Sequence, residues 1–180
     1  MSALTILMSG LLLFQSSSLK PAIDNNRVRV WESRVVAASF ENDTVTVTAD
    51  GKVGFHKKGS QAVDAKLIVS LKPATVAPLA NTSGFPLAMP RPGAKQILDN
   101  ARVTVWDYRW TVGEATPMHF HDKDVVVMFL EAGDLKSTTA KGEVTVNSWK
   151  PGTIRFNARD RVHTEELVRG TQRAIIIELK

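Results

Sequence analysis

The chain has 180 residues, of which 43% are hydrophobic, with a net charge of +5 and no cysteine. This length predicts one domain, or one domain and a fragment of a second, and the composition excludes a disordered or fibrous protein. Without cysteine, the chain has no disulfide, no thiolate metal ligand and no cysteine nucleophile. Lysine and arginine do not cluster with aromatic residues, so we predict no nucleic-acid partner.

The first eighteen residues are predicted to be a leader. They contain the apolar run ALTILMSGLLLF, which is too short to cross a bilayer as a helix. Ser16 and Ser18 follow it and are small residues of the kind that signal peptidase prefers, although no basic region precedes the run. We therefore assign residues 1–18 to a signal or leader segment, predict no membrane span, and favour a periplasmic or secreted protein. The alternatives are an N-terminal strand or short helix that packs on the fold, and a cytoplasmic protein.

The rest of the chain is predicted to be all-β. Short runs of β-branched and aromatic residues recur, and each is bounded by Gly, Pro, Asn or Asp; examples are DTVTVTADG, KLIVSL, DVVVMFL and RAIIIEL. No stretch keeps a helical apolar period over three turns. Many short strands at close spacing predict a sandwich or a barrel.

A proline-rich segment divides the strands into two groups. Residues 73–95 hold five of the eight prolines and two glycines, and proline both removes a backbone donor and restricts φ. We predict a linker or long surface loop here, between an N-terminal β piece (residues 19–72) and a C-terminal barrel (residues 96–180).

The two pieces resemble each other in sequence. DNNRVRVWESR at 24–34 aligns with DNARVTVWDYR at 99–109, and the strand-like ends AKLIVSLK and RAIIIELK also correspond. This register indicates a duplication in which the first copy is shortened and degenerate. Because the first copy alone is too short to bury a good core, we expect it to join the barrel, as an internal pseudo-dimer, or the whole chain to form a homodimer.

The segment PMHFHDKDVVV at 117–127 predicts a metal site. Side chains alternate along a strand, so His119 and His121 point to the same side. Two imidazoles on one face can chelate a transition metal.

The spacing Gly113-x5-His119-x-His121-x4-Val126-x6-Gly133 resembles the first motif of the cupin superfamily, with valine in place of the usual acid. The second cupin motif is matched by Gly152 and His163, whereas the positions of its Pro, Gly and Asn hold Ala158, Asp160 and Leu167. The signature "PMHFHDKDVVV…GTIRFN…HTEEL" is similar to that of small, often secreted RmlC-like cupins.

This resemblance implies a double-stranded β-helix, or jelly-roll, barrel over residues 99–180 that holds a metal inside. Carried over residue by residue, it makes His119, His121 and His163 the metal ligands and leaves Val126 where the family has its fourth ligand. A neutral three-histidine face suits Zn, Fe, Ni or Cu, and Mn stays among the candidates because a cupin site usually includes an acid.

Several other residues are expected either near this site or apart from it. Glu165 would share the face of His163 and is our candidate catalytic base, with a rim charge paired to arginine as the alternative. Asp122 and Asp124 could orient an imidazole or lie in solvent. His56 is expected in an exposed loop, and the aromatic residues Trp106, Tyr108 and Trp110 are expected in the core.

Two functions follow from these residues. The first is a metalloenzyme, such as a dioxygenase, isomerase or hydrolase, that acts on a small anionic molecule at an open three-histidine centre. The second is a non-catalytic cupin that binds a small ligand or a metal.

Overall fold

The structure is a computed structural model that describes residues 20–32, 39–61, 63 and 65–180. The predicted leader, residues 1–18, lies outside the described residues, and both it and the compartment stay predictions. Within the described ranges there is no helix long and apolar enough to cross a membrane.

The described residues form an all-β fold, as the sequence predicted. The strands are β1 (Ile23–Asp24), β2 (Val28–Glu32), β3 (Thr44–Val47), β4 (Val53–His56), β5 (Leu67–Leu71), β6 (Ala94–Asp99), β7 (Val103–Trp110), β8 (His119–His121), β9 (Val125–Phe129), β10 (Gly133–Thr139), β11 (Val144–Trp149), β12 (Ile154–Asn157), β13 (Arg161–Gly170) and β14 (Gln172–Leu179).

The C-terminal half is a barrel of two antiparallel sheets. One sheet has the order β11-β10-β13-β8 and the other has the order β12-β9-β14-β7-β6. The chain passes back and forth between them, which is the double-stranded β-helix that the motif resemblance implied. Their inner faces enclose an apolar cluster that includes Trp106, Tyr108 and Trp110, so these aromatic residues lie in the core as expected.

The N-terminal sheet repeats the five-stranded barrel sheet strand for strand. Its order is β1-β2-β5-β3-β4, which corresponds position by position to β6-β7-β14-β9-β12. Among the described N-terminal residues, the barrel's second sheet is represented only by a bridge between Ser39 and Gln61. That bridge joins the segments that correspond to β8 and β13. The described residues before Lys72 thus form one sheet of a barrel, and the sheet that carries the histidines has no further counterpart among them.

The N-terminal sheet packs on the outside of the five-stranded barrel sheet. A single buried cluster joins the two, with Val28, Val30, Val45, Val47, Leu67, Val69 and Leu71 on one side and Val103, Val105, Val126, Met128, Ile175, Ile177 and Leu179 on the other. Strand β14 is consequently buried on both faces, which explains why its sequence AIII is apolar without alternation.

Paired contacts relate the two sheets by an approximate two-fold axis. Arg27 Nη2 donates to the carbonyl oxygen of Lys180 at 3.2 Å, and Arg102 Nη2 donates to that of Lys72 at 2.6 Å. The repeated Asp-Asn-x-Arg-Val sequence explains this symmetry, because Asn25 and Asn100 close the same turn with the same backbone contacts. The two copies of the repeated sequence therefore contact each other within one chain, as an internal pseudo-dimer would. A homodimer stays a prediction.

The proline-rich segment contributes to the barrel. Phe120 in β8 donates its backbone N–H to Pro86 and accepts from the N–H of Ala88, both at 2.8 Å. The segment thereby covers the free edge of β8, which would otherwise expose unpaired backbone groups. Strand β6 begins at Ala94, two residues earlier than the predicted start of the barrel.

The ion pair between Arg27 and Asp124 is predicted to stabilise the sheet-to-sheet contact. It joins Nη1 and Oδ2 at 2.8 Å, and the two side chains are only 5% and 10% exposed. Arg27→Met should lower the free energy of unfolding by about 3–5 kcal/mol, because it leaves the Asp124 charge buried and unpaired. Chemical denaturation measures this loss.

Arg29→Met is the matched control. Arg29 pairs with Asp24 at the surface, so its loss should cost less than about 1 kcal/mol. Equal effects of the two substitutions would contradict a special role for Arg27.

Candidate metal centre

The three histidines converge inside the barrel. His119 and His121 are two residues apart on β8, and His163 on β13 lies directly opposite His119 in the antiparallel register. Direct partners in antiparallel strands share a face of the sheet. The possible ligand atoms of the three rings all lie within 4.8 Å of one another. The sequence prediction that these three residues come together is confirmed.

The spacing of the rings fits a transition metal. Nε2 of His121 and Nε2 of His163 are 3.0 Å apart, and the three ring centroids are separated by 4.8–5.0 Å. Imidazole nitrogens that bind one ion at about 2.0–2.1 Å lie roughly 3.0–3.4 Å from each other. His121 and His163 already have this separation, and the possible ligand atoms of His119 lie within 4.8 Å of theirs.

Two polar contacts orient the rings. Nδ1 of His119 donates its hydrogen to the carbonyl oxygen of Pro117 at 2.8 Å, which leaves Nε2 without a proton and able to bind a metal. The hydroxyl of Ser137 lies 3.0 Å from Nδ1 of His163 and can accept its hydrogen, so that Nε2 is again free to bind. Outer contacts of this kind hold metal-binding histidines in the required tautomer.

Asp122 and Asp124 do not orient the imidazoles. Asp122 is paired with Lys123 at 2.7 Å, and Asp124 accepts from Arg27 at 2.8 Å and from the backbone N–H of Arg159 at 2.9 Å. The hypothesis that these acids support the histidines is therefore wrong. The Asp122 carboxylate pairs within the loop after β8, and the Asp124 carboxylate pairs across the contact between the two sheets.

Burial keeps the histidines neutral. It lowers the pKa of His119 to about 4, with a further contribution from the Arg91 guanidinium. Burial and the Arg161 guanidinium also hold the pKa of His121 well below its usual range, and burial lowers the pKa of His163. Since a metal binds the neutral imidazole, the site is ready to bind at neutral and mildly acidic pH.

Arg91 is a site residue that the sequence analysis missed. It lies in the proline-rich segment, and its guanidinium stacks on Tyr108 with 4.0 Å between Cζ and the ring centroid. Nη1 donates to Nε2 of His119 at 3.4 Å, and Nη2 pairs with Glu165 at 3.3 Å. A single arginine in a segment read as a linker carries no sequence signal, since only the folded path brings it to the histidines.

Glu165 faces the same cavity as His163, as the alternation along β13 predicted. Burial raises the pKa of its carboxyl, but the Arg91 guanidinium and the neighbouring histidines outweigh burial and leave the pKa below its usual range. The side chain is thus an ionised carboxylate that is held by Arg91. Its role as a catalytic base remains a prediction.

Val126 is not the residue that stands in place of the motif's usual acid, although the resemblance to the cupin motif indicated this position. Val126 belongs to the cluster between the two five-stranded sheets and points away from the histidines. Val125, one residue earlier, lines the cavity and faces inward together with Val127. A shift of one residue along a strand reverses its face. Val125 therefore stands where an inward-pointing acid would reach the metal.

The second motif lacks its usual glycine and asparagine, but its backbone still places His163 at the site. Asp160 occupies the place of the usual glycine and adopts a φ of 66°, in the left-handed region that aspartate tolerates better than most residues. Leu167, which stands for the usual asparagine, is buried in the inner apolar cluster. These substitutions alter the lining of the barrel but leave His163 in position.

A cavity of about 170 Å³ adjoins the histidines. Apolar side chains from both sheets form much of its wall, while Arg155, Asn157, Arg161 and Glu165 supply polar groups. Glu178 also faces it, and burial raises the pKa of this carboxyl, which accepts from Nε1 of Trp106 at 2.8 Å. The cavity is thus a small space with donors and acids next to the metal ligands.

His56 lies apart from this centre. It ends strand β4, where its Nε2 is 2.9 Å from the hydroxyl of Thr46 and its ring packs on Phe40. The expectation of an exposed loop residue was wrong, because the ring is half-buried on a strand, but His56 is not part of the metal group.

Several solved structures are similar to about half of this chain. No family model and no curated protein matches the sequence. A cupin domain of known structure from Bordetella pertussis Tohama I is 28% identical, with 51% of this chain and 98% of that chain covered and a TM-score of 0.44.

Two more solved structures are similar over about half of the chain. An RmlC-like cupin family protein from Methanocaldococcus jannaschii is 14% identical, with 48% of this chain and 77% of that chain covered and a TM-score of 0.41. The polyketide cyclase RemF from Streptomyces resistomycificus is 19% identical, with 58% and 80% covered and a TM-score of 0.40.

The strand order and the histidines identify the fold. Residues 94–179 alternate between two antiparallel sheets, and His119, His121 and His163 meet inside. The C-terminal half of this chain therefore has the double-stranded β-helix barrel fold.

Proposed function

We propose that this protein binds a divalent transition metal through His119, His121 and His163 and presents it to a small anionic molecule in the barrel cavity. The observation that carries the proposal is the convergence of three neutral imidazoles, two of which are already at the 3.0 Å separation that a shared ion requires. The ion, when bound, supplies Lewis acidity and open coordination positions.

The chain's own groups are suited to such a role. Pro117 and Ser137 hold the imidazoles, and Arg91 fixes the Glu165 carboxylate beside them. As an ionised group facing the cavity, Glu165 is placed to take a proton from a molecule bound there. These roles support a metalloenzyme of the oxygenase, isomerase or hydrolase type.

A non-catalytic cupin is the second candidate. It is favoured by the ion pair between Glu165 and Arg91, because a carboxylate engaged by a guanidinium is a weaker base. Metal analysis of the purified protein, followed by an oxygen-consumption screen against small organic acids, would distinguish an oxygenase from a binding protein.

Removal of one ligand is predicted to abolish tight metal binding. Loss of an outer partner of a metal ligand typically costs about 10–100-fold in affinity, so His163→Ala should weaken zinc binding by more than about 100-fold. Isothermal titration with zinc measures the change, and Ser137→Ala should fall within the smaller range.

His56→Ala is the control, because His56 is bonded to Thr46 on the N-terminal sheet. It should leave zinc binding unchanged. Full zinc occupancy in His163→Ala would refute the three-histidine centre.

An acid introduced at the cavity face is predicted to change the preferred metal. Val125→Glu adds a carboxylate that points toward the histidines, and a hard anionic ligand should raise the affinity for manganese relative to zinc. Competitive titration with the two metals measures the ratio.

Val126→Glu provides the contrast. It buries a charge between two apolar sheets and should destabilise the fold by at least about 3 kcal/mol. A change of metal preference in this variant, rather than in Val125→Glu, would show that the assignment of the two faces is wrong.

Metal binding is predicted to resist mild acid. Because burial lowers the pKa of the histidines, to about 4 for His119, protons compete with the metal only when the pH approaches these lowered values. Three imidazoles with an ordinary pKa of about 6.5 would lose on the order of a thousandfold in affinity at pH 5.5. The folded protein should lose far less.

The measurement is a zinc titration at pH 7.5 and at pH 5.5, with a peptide of residues 117–123 as the comparison. The peptide holds His119 and His121 without the barrel, so its affinity should fall steeply. A parallel fall in the intact protein would contradict the neutral, buried centre.

A further inference from the structure

We propose that Arg161 anchors a carboxylate group of the cavity's ligand, which makes that ligand a small carboxylic acid bound next to the metal centre. This inference rests on the proposed function and specifies the chemical class of the molecule that the site takes.

The register of the strands places Arg161 at the histidines. Its Cα is the direct partner of His121 across β13 and β8, and it lies two residues before His163 on the same face of β13. Same-face neighbours on a strand are roughly 7 Å apart. A group held by Arg161 would therefore lie in the cavity that His121 and His163 also line.

The guanidinium of Arg161 has an unused donor. Nε donates to the carbonyl oxygen of Ala158 at 2.7 Å, which fixes the plane of the group. Nη2 is buried and has no hydrogen-bond partner within the described part of the chain. A buried donor of this kind is costly unless something satisfies it. Arg161 lines the cavity, so a ligand in that space can supply the acceptor.

The cavity's charges favour a single negative charge on this ligand. Arg91 is already neutralised by Glu165, whereas Arg161 forms no ion pair with any described residue. Burial raises the pKa of Glu178, which favours its neutral form. Arg155 is exposed at the edge strand β12, over the ring of Trp149, and its charge is screened by water. Glu165 and Asp124 act on the Arg161 charge from a distance, but no described carboxylate is in direct contact with its guanidinium.

A carboxylate matches this site better than a dianion does. The planar fork of an arginine pairs with two carboxylate oxygens, and one negative charge balances Arg161. A phosphate would bring a second charge close to the ionised Glu165, which lies on the same face of β13 and would repel it.

The test measures binding of three small monocarboxylic acids, acetate, propionate and lactate, and of their neutral amides, by isothermal titration. The full chain is used both after EDTA treatment and with zinc bound. We expect the protein to bind at least one acid at millimolar concentration and to bind its amide at least about tenfold more weakly, which corresponds to about 1.4 kcal/mol.

Arg161→Gln should remove this preference for the acid, and Arg161→Lys should retain part of it because the charge remains while the fork is lost. Arg109→Gln is the matched control, since Arg109 is exposed and paired with Glu131, and it should bind like the parent. Circular dichroism and zinc stoichiometry establish that each variant is folded and keeps its metal.

The inference is overturned if Arg161→Gln or Arg161→Lys binds the acid as tightly as the parent does, if none of the three acids binds, or if phosphate binds more tightly than all of them. Failure of the metal centre is seen separately. It appears as zinc retention in His163→Ala, whereas acid binding by the EDTA-treated protein reports on Arg161 alone.

Discussion

The structure depends on a barrel sheet that is apolar on both faces. Strands β9 and β14 alternate between Val125, Val127 and Ile176, which face the cavity, and Val126, Ile175 and Ile177, which face the N-terminal sheet. A two-sided apolar sheet would expose a large surface if one face stayed open, so the N-terminal piece must cover it. The reciprocal contacts of Arg27 and Arg102 and the buried pair of Arg27 with Asp124 fix the position of this cover.

The same packing supports the barrel sheet that lies opposite the histidines. The opposite sheet, β11-β10-β13-β8, carries His119, His121 and His163, and its partner sheet is held from behind. The imidazoles are thus surrounded by protein on most sides, which lowers their pKa and favours the neutral form that binds metals. The described residues of the N-terminal piece contribute no member of the histidine cluster, yet they support the site by packing on the barrel sheet behind it.

Charge is distributed unevenly around the centre. On one side, Arg91 reaches in from the proline-rich segment, stacks on Tyr108 and pairs with Glu165. On the other side, Arg161 remains without an ion pair among the described residues, next to His121 in the sheet register. The first arginine organises an acid for the site, and the second leaves a positive charge that a ligand can satisfy. Both guanidinium groups line the same cavity wall as His121 and His163.

Strand alternation and the repeated sequence were enough to predict the all-β class, the repeated sheet and the shared face of His119 and His121, whereas the C-terminal barrel and the approach of His163 were implied by the resemblance to the cupin motifs. The reason is that strand alternation and motif spacing are short-range properties of the chain. Tertiary structure decided the rest. It showed that Val125 rather than Val126 faces the histidines, because a run of valines has the same apolar character on both faces and hides its register. It brought Arg91 into the site and paired Asp124 with Arg27, because these contacts join residues far apart in sequence, and the path of the folded chain alone determines which of them meet.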